Sequence, residues 1–395
     1  MNFPSPKIGL KWSQWTVLEK AVGFLLTTVL TVFERVLRNN ALTGFPGQSP
    51  HPLSFTYESS DFSRVLLMTF KTRAALGLLT LLLVSAPTSW AQMKVRVNWS
   101  ATAAGQSGFW LAYEDGIFKK NGLEVELLHI PSSSRAIQTM LAGEIAISYL
   151  DPRNTIEANF RGASVALLAG VTNRFTFSLM ARPEIKRVSD LKGKKIGVTR
   201  IGSSTHTASL YVLNQAGLKP SDYQILALFE VPNILTALMA GQIDAGPISP
   251  PTTFRGRKAG LSELVNLARE GPEFASVAIG SPRSYIKANE DIVRRVVRSY
   301  VEAVHRFKTN KEISLKVLQK YTRVNDPEIL EATYTEYLDY IESIPSVSKK
   351  GMEIILGELA EKEPKARQAR PEDFLDARFL DELEREGLFK KLWGR

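Results

Sequence analysis

The chain has 395 residues, 44% hydrophobic and 23% charged, with 26 Gly, 20 Pro and no Cys. That length fits one bilobal unit or two to three globular ones, and the composition excludes disordered, collagen-like and coiled-coil chains. The lack of cysteine excludes disulfides, thiolate zinc sites, iron–sulfur clusters and a Cys nucleophile. A net charge of +10 hints at acidic partners, but removing residues 1–91, with eight basic and four acidic side chains, leaves only +6.

Residues 70–91 read FKTRAALGLLTLLLVSAPTSWA. Lys71 and Arg73 form a basic start, 76–84 an apolar run, and Ser89-Trp90-Ala91 a small-x-small cleavage signature after Pro87. With Met68 just upstream, 68–91 reads as a secretory signal peptide, and the apolar run is short for a spanning helix. Residues 1–67 then read as a start codon assigned too early, or as an N-terminal extension. A second apolar run, 22–33, fits a short anchor and leaves membrane tethering open.

From residue 92 the chain alternates strands and helices. A strand is predicted over 94–99, a helix over 108–120 stopped by Asn121-Gly122, and a strand over 123–130. A helix follows from Pro131-Ser132-Ser133-Ser134 to Ala142, with Gly143 as its stop. Strand 145–149 leads to Asp151-Pro152 and another helix, then to a buried strand over 165–171. This order predicts an open parallel sheet covered by helices. The same grammar restarts near Ser189: strand 195–199, helix 203–216, strand 225–229, helix 231–240. An echo at an offset of 98 links AGEIAISYLDP (142–152) to AGQIDAGPISP (240–250), which supports two lobes of similar construction. Segments 175–181 and 274–279 are expected to cross between the lobes as a two-segment hinge. The last third reads as packing helices, the first capped by Asn289, and its arginines read as surface rather than a nucleic-acid face.

Candidate chemistry concentrates at strand ends. The four histidines, at 51, 129, 206 and 305, show no metal-ligand spacing, and HExxH, GxSxG and P-loop motifs are missing from the sequence, so neither a metal nor a cofactor is expected. Ser203-Ser204-Thr205-His206 opens a helix after a strand, presenting N–H groups and hydroxyls at a positive helix end. A plain Ser/Thr N-cap explains the same residues. Ser132, Ser133 and Ser134 play this part in the first lobe, and Asp151 and Ser249 hold equivalent positions in the echo. Trp99, Gln106 and Phe109 lie past the first strand, and Thr172 and Asn173 past the fourth. Ligands of open α/β sheets bind at such ends. These residues are the candidate ligand site, for a small organic ligand that is anionic in this reading.

The residues 116–125 (GIFKKNGLEV), 140–144 (MLAGE), 189–198 (SDLKGKKIGV), Gly217-Leu218 and 240–245 (AGQIDA) resemble the substrate-binding proteins of ABC importers. The resemblance is to the nitrate/taurine/alkanesulfonate type, itself similar to thiamine-pyrimidine-precursor binding proteins. It implies a type II periplasmic-binding-protein fold, with two doubly wound lobes, 92–180 and 181–275, joined by a two-segment hinge, and a return to the first lobe plus C-terminal helices over 276–395. It implies a monomer outside the cytoplasm that closes on its ligand and delivers it to an inner-membrane permease. The loop at Ser249 reads Ile-Ser-Pro-Pro where relatives often carry an aromatic, and Arg135, Arg153 and Arg174 are the candidates for clamping a sulfonate. The alternatives are a lyase using Asp151 and His206, and a sensor on the same fold.

Overall fold

The computed structural model describes residues 93–394; the expected extension (1–67) and signal peptide (68–91) lie outside them. The described chain builds two five-stranded sheets. The first begins with β1 (Met93–Trp99), α1 (Ser107–Glu114), α2 (Ile117–Lys120), β2 (Leu123–His129), α3 (Ser133–Leu141), β3 (Ile147–Leu150), α4 (Pro152–Phe160) and β4 (Val165–Arg174). The helix expected over 108–120 is split, because Gly116 takes a left-handed φ of 69° and restarts the chain as α2. The second sheet follows with β5 (Ser178–Ala181), β6 (Lys194–Val198), α5 (Ser204–Gln215), β7 (Tyr223–Ala227), α6 (Val231–Met239), β8 (Ala245–Ile248), α7 (Thr252–Lys258) and β9 (Ser262–Asn266).

The chain then returns through α8 (Leu267–Glu270) to β10 (Glu273–Pro282) and ends in helices. These are α9 (Arg283–Ala288), α10 (Glu290–Thr309), α11 (Lys311–Thr322), α12 (Pro327–Tyr340), α13 (Lys349–Leu359), α14 (Arg378–Arg385) and α15 (Leu388–Trp393). Asn289 precedes α10 but makes no side-chain cap; its amide donates instead to Tyr285 O at 3.2 Å.

The strand orders are β2-β1-β3-β10-β4 and β7-β6-β8-β5-β9. They are the same arrangement twice. In each sheet three strands run parallel, β1 in register with β2 from Met93↔Leu123 to Trp99↔His129, and β6 with β7 from Lys194↔Tyr223 to Val198↔Ala227. In each, the fourth strand is antiparallel to both neighbours and comes from the far side of a crossover. The offset of 98 maps α3 onto α6, and β3 onto β8, without a residue of slip. Gly143 and Gly241, at φ of 77° and 69°, occupy the same left-handed stop after those helices.

Sheet membership puts the changeovers at 175–177 and 267–272, since β5 already pairs within the second sheet. The lobe limits expected at 180 and 275 cut into β5 and β10, because an alternating apolar pattern marks a strand without showing its partner. Phe175, on the first crossing segment, stacks at 4.1 Å between ring centroids on Phe274, at the start of β10 just after the second, and ties the two together. One core cluster joins α1, α10, α11 and α12 to one face of the first sheet, around Phe109, Trp110, Tyr149 and Tyr300. Arg294 and Arg298 on α10 hold α14 through Glu382 and Glu386. Among the described residues no helix is long and apolar enough to cross a membrane.

Candidate functional site

The parallel strands β1, β3, β6 and β8 end at Trp99, Leu150, Val198 and Ile248, and their next residues bring Ser100, Asp151, Thr199 and Ser249 to one cavity of about 90 Å³. Both lobes line it. This is the placement that open α/β sheets give a ligand, at the carboxyl ends of the strands. Four helix N-termini face the same space, those of α3, α4, α5 and α6. Each carries roughly half a positive elementary charge.

Asp151 is the most constrained group. Its side chain is 1% exposed. Oδ1 caps α4, accepting from the N–H of Arg153 at 2.8 Å and of Asn154 at 3.4 Å, and its own N–H donates to Ser133 Oγ at 2.7 Å. Oδ2 has no hydrogen-bond partner among the described residues. Burial pushes the carboxyl up to about 6; the nearby Ser204 hydroxyl, the capping N–H groups and the Arg153 charge pull less strongly the other way. Thr172 Oγ1 and Tyr337 OH, on residues each 1% exposed, also lack a partner. Buried polar groups are normally satisfied, so three unpartnered ones on one cavity mark a surface built to meet something polar.

The cavity brings together Gln106, Ser132, Ser133, Asp151, Thr172, Ser203, Ser204, Thr205 and Ser249 of the residues expected from sequence. Several of these hold the frame. Gln106 Oε1 accepts from Ser100 N at 3.0 Å. Thr205 Oγ1 accepts from Thr199 N at 2.9 Å, and Ser203 Oγ donates to Arg200 O at 2.7 Å. Ser204, half-buried and outside this network, sets its hydroxyl against the Asp151 carboxyl.

Five expected residues lie elsewhere. Trp99 stacks on His129 at 3.7 Å and meets Trp110 and Tyr321 edge-on. Phe109 is fully buried against Tyr149. Asn173 ties down the segment before α13, donating to Ser346 O and accepting from Ser348 N. Ser134 is not among the lining residues; its hydroxyl lies 3.3 Å from Ser132 Oγ. His206 faces an outer groove with Arg153 and Glu157, its Nδ1 accepting from Gly202 N at 3.1 Å. There burial and the Arg153 charge lower its pKa.

Lining residues not anticipated include Thr176 and Phe177 on one crossing segment, Val277 on β10, Phe229 and Glu230 before α6, and Tyr337 on α12. The repeat held a signal for one of them: Glu230 stands 98 residues after Ser132. Tyr337 had none, because its helix reads as packing alone. The three arginines considered for an anion are turned away. Arg153 pairs with Glu157 and Glu358, and Arg135 and Arg174 are exposed.

The chain is similar to a Brucella abortus protein provisionally named a binding protein, 28% identical over 237 residues, 58% of this chain and 72% of that one. A Brachyspira hyodysenteriae protein, provisionally named an ABC transporter periplasmic binding protein, is 22% identical over 55% of this chain and 67% of its own. A shorter match, 28% identical over 151 residues and 42% of its partner, is to a Schizosaccharomyces pombe 4-amino-5-hydroxymethyl-2-methylpyrimidine phosphate synthase. Among solved structures, the alkanesulfonate-binding protein SsuA of Xanthomonas axonopodis superposes with a TM-score of 0.60 at 21% identity, over 71% of this chain and 96% of that one, and shows the periplasmic-binding-protein fold. The family profile described as NMT1/THI5 like matches residues 104–311. The chain belongs to the NMT1/THI5-like family.

Proposed function

We propose that this protein is the extracytoplasmic solute-binding component of an ABC importer, which captures a small molecule between its two lobes and delivers it, as a monomer, to a membrane permease. The observation that carries this reading is the interlobe cavity with the unpartnered Asp151 Oδ2, Thr172 Oγ1 and Tyr337 OH on its wall. The names carried by the Brucella and Brachyspira relatives support it, and the leader-like sequence at 68–91 fits export. Paired crossings at 175–177 and 267–272 supply a hinge. Ligand contacts made by both lobes favour the closed arrangement by as much as they differ between the two states.

A catalytic reading has one specific support, the partial match to the fungal synthase. The Asp151–His206 pairing considered for a lyase is not assembled, because His206 faces the outer groove. Native mass spectrometry of the purified full-length chain, with small-angle scattering before and after removal of any co-purified molecule, tests the proposal. A chemically intact small molecule whose removal increases the radius of gyration is the expected result. Conversion of that molecule into a product by the protein alone would overturn it.

A further inference from the structure

The cavity wall has an unusual charge pattern for an oxyanion site. Asp151 and Glu230 line it, and among the described lining residues there is no Lys, Arg or His. Arg200, close by, lies 5.0 Å over the Phe229 ring with its Nε buried and unpartnered, Arg153 is committed to Glu157 and Glu358, and Glu230 has His129 Nε2 at 3.9 Å. The helix N-termini do not reverse this balance. That of α4 is already capped by Asp151, and that of α5 by Ser203, which accepts from His206 N. The ends of α3 and α6 carry no side-chain cap, and together they supply about one positive charge against two carboxylates.

A nitrate or sulfonate in this space would face Asp151 Oδ2, a buried carboxylate oxygen that no cationic lining residue pairs with, which is costly in a low-dielectric site. A donor placed there satisfies Asp151 Oδ2. We propose, resting on the solute-binding reading above, that the cavity takes a small ammonium- or amidinium-type cation whose N–H donates to Oδ2 of Asp151, with Thr172 Oγ1 and Tyr337 OH as its further polar contacts. The volume of about 90 Å³ limits the ligand to a few heavy atoms, since a 150 Å³ cavity is filled by benzene. Acetamidinium and ethylammonium are of this size and class.

The pH dependence separates this assignment from its opposite, in which a protonated Asp151 donates to an anion. The charged and polar groups acting on the Asp151 carboxyl are Arg153, the Ser204 hydroxyl and the N–H groups of Arg153 and Asn154, while Glu230 before α6 and Tyr337 on α12 line the same cavity. The test measures binding of acetamidinium, ethylammonium, nitrate and methanesulfonate to the full-length chain by calorimetry at pH 5 and pH 8. With the carboxyl titrating at about 6, its ionised fraction rises about tenfold over this range, so the cations should bind about tenfold more tightly at pH 8. Asp151→Asn keeps a good N-cap residue, and should lose most of the cation affinity and its pH dependence.

Nitrate or methanesulfonate binding that weakens with rising pH would overturn the proposal and leave solute binding intact. Cation binding that survives unchanged in Asp151→Asn would overturn it too. So would failure of both cations to bind wild type at either pH, whereas the solute-binding reading falls only if the mass-spectrometric test fails.

Discussion

Replacing Asp151 by Asn removes a buried charge while keeping an oxygen able to accept the Arg153 and Asn154 N–H bonds at the start of α4. Burial pushes the wild-type carboxyl up to about 6 in the folded protein, from an ordinary 3.8. A folded-state value above the unfolded one means that the native protein holds the proton longer. The stability tied to that proton is fully present below about pH 4 and is lost as the pH rises through about 6. At about 1.4 kcal/mol per pKa unit, the loss is on the order of 3 kcal/mol. Without ligand, the advantage of Asp151→Asn over wild type should therefore grow by about that amount between pH 4 and pH 7.5, on the order of 5 °C in melting temperature. The variant's amide adds a constant offset, so the change with pH is the quantity to read. Paired urea titrations at four pH values would measure it. A wild-type-to-variant difference that stays flat across the window would refute the reasoning.

Ser204→Leu should reduce ligand affinity at least tenfold by filling the cavity from a half-buried position outside the Ser203–Thr205 network, with melting temperature nearly unchanged; calorimetry and a thermal melt together check it. Thr172→Val deletes an unpartnered buried hydroxyl, so the ligand-free protein should hold or slightly gain stability, while affinity falls by about 1–3 kcal/mol if the ligand uses that oxygen. Gly108→Ala would place a Cβ 2.4 Å from the Tyr300 ring, so a cost of about 1–3 kcal/mol is expected in urea denaturation, with binding retained in the folded fraction.

Much of the architecture is local and was legible. Glycine stops at Gly143 and Gly241, Pro after Asp151 and Ser249, and short apolar strands between them all act within a few residues. The repeat therefore predicted two lobes, and its offset of 98 proved to relate whole helices and strands rather than a short phrase. Strand ends were equally readable, because the residue after a parallel strand is placed by backbone geometry alone. Asp151 and Ser249 follow from that rule, whereas Thr172, expected past the fourth strand, lies within β4 where it pairs antiparallel with β10.

Side-chain direction and long-range delivery were not legible. Successive residues of a helix turn by about 100°, so Ser204 faces the cavity while His206 faces the outer groove, although both belong to the same polar run. Trp99 and Phe109 are aromatic at the right depth, but Trp99 stacks on the exposed His129, and Tyr149 and Tyr300 claim Phe109 for the core. The crossings at 175–177 and 267–272 fixed which strands pair, and α12 brought Tyr337 to a wall whose other residues lie far earlier in the chain. The sequence determined the repeated lobe and the strand ends that could carry a site, because those depend on neighbours in the chain. Only the tertiary structure decided the charge of the cavity, because that depends on which arginines other acids capture and which carboxylate oxygen is left without a partner.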